Sequence, residues 1–257
     1  VFDTNIHFIG KVLNFFDELP STNLYAMELL AKSRPTEGTV ISTYNQTAGR
    51  GQIGRSWEST PGKNLTFSII LYPDFLPAID QFLLNKAFAL GVRSYVAACI
   101  PQATVSVKWP NDIYVGQRKI AGILIQNVLQ GKHIQSTVLG VGLNVNQASF
   151  QEAPNATSLL LETGKSFSLE EALLTLCVHI ETWYLLLRDG RTNELDRSYL
   201  QHLFLFEKMA WFQRGDNTVF QGKITGVAAD GRLLIASGEQ TAAFDIKQVQ
   251  WVQPPSS

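Results

Sequence analysis

Four short clusters in this chain combine residue types from which an anion and ring-binding site is built. The first is GRGQIGRSW, residues 49–57. Closely spaced glycines let backbone N–H groups approach a phosphate or carboxylate, Arg50 and Arg55 add positive charge, and Trp57 offers a flat face to a ring system. The string also satisfies the G-x-G-x-x-G pattern of dinucleotide-binding folds, but its context does not. That fingerprint opens a helix directly after a strand, whereas RSWESTPGKN follows here, with Pro61 and Gly62 preventing a long helix. On spacing alone, a surface loop with incidental arginines stays open as the alternative.

The second cluster, KWPND at 108–112, places a cation, an amide and a carboxylate at one strand end. Groups of the types of Lys108, Asn111 and Asp112 can bind a nucleotide's phosphates and its Mg²⁺, although Pro-Asn-Asp is also ordinary turn chemistry and the turn stays open as the alternative. The third is KIAG at 119–122: Lys119 opens an apolar strand, where a lysine is usually solvated, but Ala121 and Gly122 behind it imply that something packs closely on the strand. In the fourth, GVGLN at 140–144, Gly140 and Gly142 alternate within a strand, which costs stability unless backbone must approach a ligand or the strand ends in a bulge. Asn144 and Asn146 then point the same way.

The elements that must position these groups follow from hydrophobic periodicity. VLNFF (12–16) reads as a strand, and DELPSTN turns into a helix capped by Ser21 or Thr22, with Leu24, Met27, Leu29 and Leu30 on its apolar face. TVISTYN (39–45) and NLTFSIILY (64–72) read as strands, with a long loop from about Gln46 to Lys63 between them. Residues 79–100 form the strongest helix signal, with Gly91 tolerated inside it. Four strands follow, with turns at 116–117 and near 131, then helices over 169–188 and 193–204. From Glu207 short strands alternate with RGDN, AADGR and SGEQ turns. The expectation is an α+β domain over 1–205, a mixed sheet flanked by helices, followed by a small barrel-like β domain over 206–257.

Bulk properties narrow the function. The chain has 257 residues, 45% hydrophobic, with 21 basic against 22 acidic side chains, so it lacks the clustered basic excess of a dedicated nucleic-acid binder. Cys99 and Cys177 are far apart in apolar surroundings and read as small buried hydrophobes, which suits a reducing compartment. No stretch reaches the ~18 apolar residues of a membrane helix, and the start lacks a signal-peptide pattern. A soluble cytoplasmic protein is expected.

The four clusters, in this order and together with STN at 21–23 and Gln46, resemble the biotin protein ligases over most of the chain. The resemblance implies a biotin/lipoyl ligase-like catalytic domain with an SH3-like C-terminal β-barrel. It implies an enzyme that forms biotinyl-5′-AMP from biotin and MgATP and passes biotin to one lysine of a biotin carboxyl carrier protein domain of a carboxylase. By position, Ser21, Thr22, Asn23 and Gln46 line the biotin head-group pocket, and Gly49, Arg50 and Gln52 close over the biotin chain and adenylate phosphate. Trp57 forms an apolar wall, and Gly122 and Gly142 allow close approach to biotin. Lys119, with Arg50, acts in catalysis by holding the carboxylate and then the α-phosphate. Arg50, Arg55, Trp57, Lys108, Asn111, Asp112 and Asn144 serve ATP, with Asp112 toward Mg²⁺.

Two departures matter. Gln52 stands where some relatives have a second loop arginine, and Gln126 stands where relatives often have a glutamate, so Gln126 receives no catalytic role. Because STN begins at residue 21, the form without an N-terminal DNA-binding domain is expected, a monomer or homodimer that binds no operator DNA. A lipoate or octanoate ligase is the nearest competing enzyme, but the Arg-x-x-Gly-Gly-Gly signature of that class is missing. A non-catalytic adenylate-retaining module is the other competitor, and the presence of both Lys119 and Asp112 speaks against it.

Overall fold

The computed structural model describes residues 7–49, 51 and 56–254. In chain order the elements are β1 (Leu13–Leu19), α1 (Thr22–Lys32), β2 (Val40–Gln46), β3 (Leu65–Leu71), α2 (Phe82–Cys99), β4 (Val105–Lys108), β5 (Asp112–Val115), β6 (Arg118–Gln130) and β7 (His133–Leu143). There follow α3 (Leu159–Thr163), α4 (Leu169–Arg188), α5 (Thr192–Gln201), β8 (Met209–Arg214), β9 (Val219–Val227), β10 (Leu233–Ser237), β11 (Gln240–Phe244) and β12 (Val249–Val252). The first seven strands form one mixed sheet in the order β1-β2-β3-β7-β6-β5-β4, in which only β1 and β2 run parallel. The last five form a separate antiparallel sheet, β11-β10-β9-β8-β12: a four-strand meander with β12 added back beside β8, the order of an SH3-like barrel. The α+β architecture expected from the sequence is the one observed.

Alternation along the central strands sends side chains to two different cores. Phe67, Ile69 and Leu71 of β3 and Leu139, Val141 and Leu143 of β7 join the large core beneath α2, α4 and α5. Ile70 and Val138 face the other way, under α1, with Ala26 and Ile41. Each large apolar side chain buried in this way contributes about 1.5–3 kcal/mol. The N-terminal stretch is tied to α4 by Glu181, whose buried carboxylate accepts backbone N–H bonds from His7, Phe8 and Ile9 at 2.6, 2.8 and 2.6 Å.

Several local readings change. Neither Ser21 nor Thr22 caps α1 with its side chain; Ser21 is the N-cap residue but makes no cap bond, and Gln46 Oε1 instead accepts from Thr22 N–H at 2.9 Å. The fully buried residues of α1 are Thr22, Asn23 and Ala26: its polar first turn faces a cavity, which leaves Leu24 exposed, while Met27, Leu29 and Leu30 of the expected apolar face pack, partly buried, on the core beneath the helix. The helix expected from residue 79 begins at Phe82 after a 3-10 turn over Ala78–Asp80. The helix expected to reach 204 ends at Gln201, since the following residues run along the edge of β4, where Val107 N–H donates to His202 O and Val107 O accepts from Phe204 N–H, both at 2.8 Å. Helix α3 had no counterpart in the sequence reading. Of the two free thiols, Cys177 is buried, which pushes its pKa up to about 12, but Cys99 is only partly buried.

Gly91 is required rather than merely tolerated. A Cβ there would lie 2.7 Å from Ile180 Cα and 3.2 Å from His179 O, so α2 and α4 touch backbone to backbone. Gly91→Ala improves helix propensity by about 1 kcal/mol but forces a clash with rigid main chain. A net loss of about 1–2 kcal/mol is expected in urea unfolding, and an unchanged or raised midpoint would show that the helices can separate freely.

Candidate active site

Strand register assembles the site. Thr66 of β3 pairs with Gly142 of β7, Gly142 with Gly122 of β6, Gly122 with Asp112 of β5, and Asp112 with Lys108 of β4. Residues in register share a face, so two glycines, a carboxylate and a cation lie in one row across five adjoining strands. The next row holds Ser68, Gly140 and Leu124. Over these rows opens a cavity of about 690 Å³, walled on one side by the first turn of α1 and on the other by the C-terminal sheet.

The glycines make room for specific partners. A Cβ on Gly142 would stand 2.4 Å from Trp57 Cε2, one on Gly122 would stand 3.1 Å from Trp57 Cζ3, and one on Gly140 would stand 2.1 Å from Asn23 Oδ1. The indole of Trp57 therefore lies on the glycine floor. Among the described residues its buried Nε1–H has no hydrogen-bond partner, the condition of a donor that a polar ligand atom would satisfy. Trp57 is held from both sides: its N–H donates to Gly49 O at 3.2 Å, which pinches the base of the glycine loop. The neighbouring Glu58 accepts from the backbone N–H groups of Gln151 and Glu152, both at 2.9 Å.

At the α1 end, Ser21, Thr22 and Asn23 are buried polar residues of the cavity wall. Gln46 Oε1 faces the Thr22 N–H, which leaves its Nε2 as a donor beside Gly49. Asn23 Nδ2 donates to Leu124 O at 3.3 Å and to Gln126 Oε1 at 3.0 Å, so both its hydrogens are engaged, and its Oδ1 faces Ser68 Oγ at 2.6 Å.

At the other end, Lys119 Nζ lies 2.7 Å from Asp112 Oδ1 and 5.6 Å from the Trp57 ring centroid, with the lysine side chain 32% exposed. Its main chain is clamped separately, Lys119 N–H donating to Asn155 O at 2.9 Å and Lys119 O accepting from Thr157 N–H at 2.8 Å. Lys108 Nζ bonds Tyr114 Oη at 3.1 Å and sits 5.9 Å from the Trp251 ring. Asn111 Nδ2 donates to Ile123 O, fixing the turn against β6. The C-terminal sheet closes this end with Arg214, Lys247 and Trp251, and Trp109 Nε1 joins the two parts of the chain through Gly231 O at 2.8 Å.

Ser21, Thr22, Asn23, Gln46, Trp57, Lys108, Asn111, Asp112, Lys119, Gly122 and Gly142 thus surround one cavity. Gly49 sits behind Gln46 and Trp57. Asn144 is not on the cavity wall: it is buried, with Nδ2 on Thr157 O at 2.9 Å and Oδ1 lacking a partner. Arg50, Gln52 and Arg55 fall outside the described residues. Sequence reasoning missed Ser68, the structural use of Gln126 and the C-terminal wall. Only Ser68 left a trace, as a polar residue alternating with apolar ones in β3.

The biotin/lipoate A/B protein ligase family matches residues 15–144, just over half of the chain. The bifunctional ligase/repressor BirA of Bacillus spizizenii is 31% identical over 248 residues, spanning 90% of this chain and 71% of that protein. A biotin--[acetyl-CoA-carboxylase] ligase of Mycobacterium tuberculosis is 39% identical over 152 residues, spanning 58% of this chain and 55% of that one. The solved biotin protein ligase of Aquifex aeolicus in complex with biotin and ATP superposes with a TM-score of 0.78 at 25% identity, covering 95% of this chain and all of that one. On the family match and on the extent of the BirA alignment, this chain belongs to the biotin/lipoate A/B protein ligase family, among its biotin protein ligases.

Proposed function

We propose that this chain forms biotinyl-5′-AMP from biotin and MgATP and transfers biotin to a specific lysine of a biotin carboxyl carrier protein domain of a biotin-dependent carboxylase. The observation that carries the reading is the single row across the sheet. It joins a hydrogen-bonding pocket at α1 to the Lys119–Asp112 pair over a floor kept bare by Gly122 and Gly142. In this reading the ureido ring sits among Ser21, Thr22 and Gln46, with Asn23 bracing them, and the valeryl chain runs along Trp57 toward Lys119. Biotin's carboxylate oxygen attacks the α-phosphorus of ATP and pyrophosphate leaves; Lys119 stabilises the charge that builds there, with no covalent enzyme intermediate. The carrier lysine then attacks the mixed anhydride's acyl carbon and AMP departs.

Lys108, Asn111 and the cations of the C-terminal wall face the nucleotide; Arg50, Gln52 and Arg55, outside the described residues, enter the reading through the family resemblance alone, Arg50 and Gln52 for the biotin chain and adenylate phosphate and Arg55 for ATP. Mg²⁺ is commonly held by one or two carboxylates plus substrate phosphates, and the donor set fits: Asp112 is a single cavity carboxylate. Among the described residues no group of three or more His, Cys, Asp or Glu is placed to hold an ion. When bound with ATP, Mg²⁺ neutralises phosphate charge, and Asp112 would hold it. The boundary near residue 205 fits a catalytic domain over 1–205 and a small domain over 206–257 that walls the nucleotide end. Two free thiols and the absence, among the described residues, of a helix able to cross a membrane fit action in the cytoplasm.

The test is mass spectrometry of the protein incubated with MgATP and either biotin or lipoate. Biotinyl-adenylate and pyrophosphate formed only with biotin is the expected result. Lipoyl-adenylate alone would mean that the pocket prefers the wrong acid for this reading, and no adenylate with retained biotin binding would point to a binding module.

A further inference from the structure

Ser68 is fully buried on β3 and lies beneath the cavity wall rather than on it. Its Oγ is 2.6 Å from Asn23 Oδ1 and 2.7 Å from Thr22 Oγ1. A hydroxyl has one hydrogen, and the surroundings decide where it goes. Asn23 Nδ2 faces Leu124 O, a backbone carbonyl that only accepts, so the Asn23 amide cannot be turned and Oδ1 is the atom toward Ser68. Oδ1 only accepts, hence Ser68 donates to it. With its hydrogen committed, Ser68 Oγ can only accept from Thr22. The competing acceptor for the Thr22 hydroxyl, Gln46 Oε1, is farther away at 3.3 Å and already receives the Thr22 N–H at 2.9 Å.

The consequence reaches the cavity. Thr22 Oγ1 turns its hydrogen inward and presents lone pairs, while Gln46, with its oxygen fixed on the Thr22 N–H, presents an N–H donor. An acceptor beside a donor is the complement of a ring N–H beside a carbonyl. We propose that Ser68 is a positioning residue that sets the hydrogen-bond polarity of Thr22 and so makes this pocket selective for a cyclic urea. The inference rests on the reading of this pocket as the ureido site.

The test compares Ser68→Ala, Ser68→Thr and Thr22→Val. In Ser68→Ala, Thr22 is free to turn its hydrogen toward the cavity or Gln46, and Asn23 Oδ1 loses its donor. Biotin Kd is expected to weaken about 10–100-fold. The adenylation kcat at saturating biotin should stay within about twofold, because Ser68 is remote from the reacting carboxylate. Ser68→Thr, which keeps the hydroxyl, should restore the Kd. An unchanged Kd in Ser68→Ala beside a weakened one in Thr22→Val would overturn the relay and leave the pocket standing. If neither variant alters the Kd, the ureido reading itself fails. Parallel loss of Kd, kcat and melting temperature that Ser68→Thr does not restore would reduce Ser68 to a structural residue.

A measurement on the unmutated protein guards against a variant that does not fold. Cyclic-carbamate analogues of biotin, with either ring N–H replaced by oxygen, place a lone pair where Thr22 already presents one. At least one regioisomer should bind 10-fold or more weaker than biotin, and equal binding of both would overturn the assigned polarity.

Discussion

Lys119→Ala is expected to slow biotinyl-adenylate formation by about 10²–10³-fold, the loss typical of removing one preorganised group from developing transition-state charge. The lysine stands over Gly122, 2.7 Å from Asp112 and beside Trp57, at the end of the cavity to which the proposed function assigns the carboxylate of biotin and the α-phosphate. Its structural duties belong to the main chain, which alanine keeps: the bonds to Asn155 and Thr157 are backbone to backbone. The side-chain pair with Asp112 is partly exposed and worth at most about 1 kcal/mol. Activity and stability should therefore separate. Pyrophosphate release at saturating biotin and MgATP should collapse while the melting temperature moves by only a few degrees. An unchanged release rate would remove Lys119 from the chemistry. A collapse of both would mean that the side chain is structural.

What the sequence revealed, and what it hid, divides along a physical line. GRGQIGRSW, KWPND, KIAG and GVGLN are local, and glycine spacing, charge and strand alternation are properties that a linear reading can weigh. The strands and long helices were legible for the same reason. Their register was not, because the pairing of Gly142 with Gly122 and of Gly122 with Asp112 is set by strands far apart in the chain. Apolar periodicity found Met27, Leu29 and Leu30 of α1, which pack on the core, but it also marked the exposed Leu24 and could not show that the cavity buries the polar Thr22 and Asn23. Gln126 was set aside on its difference from relatives, yet its side chain holds Asn23 in place. Arg214 opens the RGDN turn and Lys247 lies between two short strands, and only the folded chain brings them to the cavity.

Gly142→Ala is the sharper test of the site's shape, because the group that it displaces is a wall of the pocket. The residue lies in β7, paired on both sides by β3 and β6, and its backbone is not in the left-handed region, so an alanine is at ease in the strand itself. Strand propensity and reduced unfolded-chain entropy favour the variant by about 0.4–1 kcal/mol. The obstacle is the indole: the new Cβ would stand 2.4, 2.7 and 2.8 Å from three of its carbons. Trp57 cannot simply drift, since Gly49 O holds its N–H and Glu58 beside it is fixed to residues 151 and 152. The central strand cannot yield either, so the indole must leave the floor and the wall that biotin's chain needs is lost. Overpacking of about 1–3 kcal/mol offsets that gain, and loss of the wall is expected to weaken biotin Kd by roughly 10–100-fold. Gly226→Ala in the C-terminal sheet supplies the comparison, because its nearest neighbour, Leu234 Cδ1, would be 3.7 Å away, so affinity should not change and stability should keep the gain of about 0.4–1 kcal/mol. Calorimetric titration with biotin and thermal unfolding of the two variants decide the matter. If Gly142→Ala binds biotin as tightly as the unmutated chain, Trp57 does not rest on the glycine floor when the ligand is bound, and the bare row of Gly122 and Gly142 needs another reason.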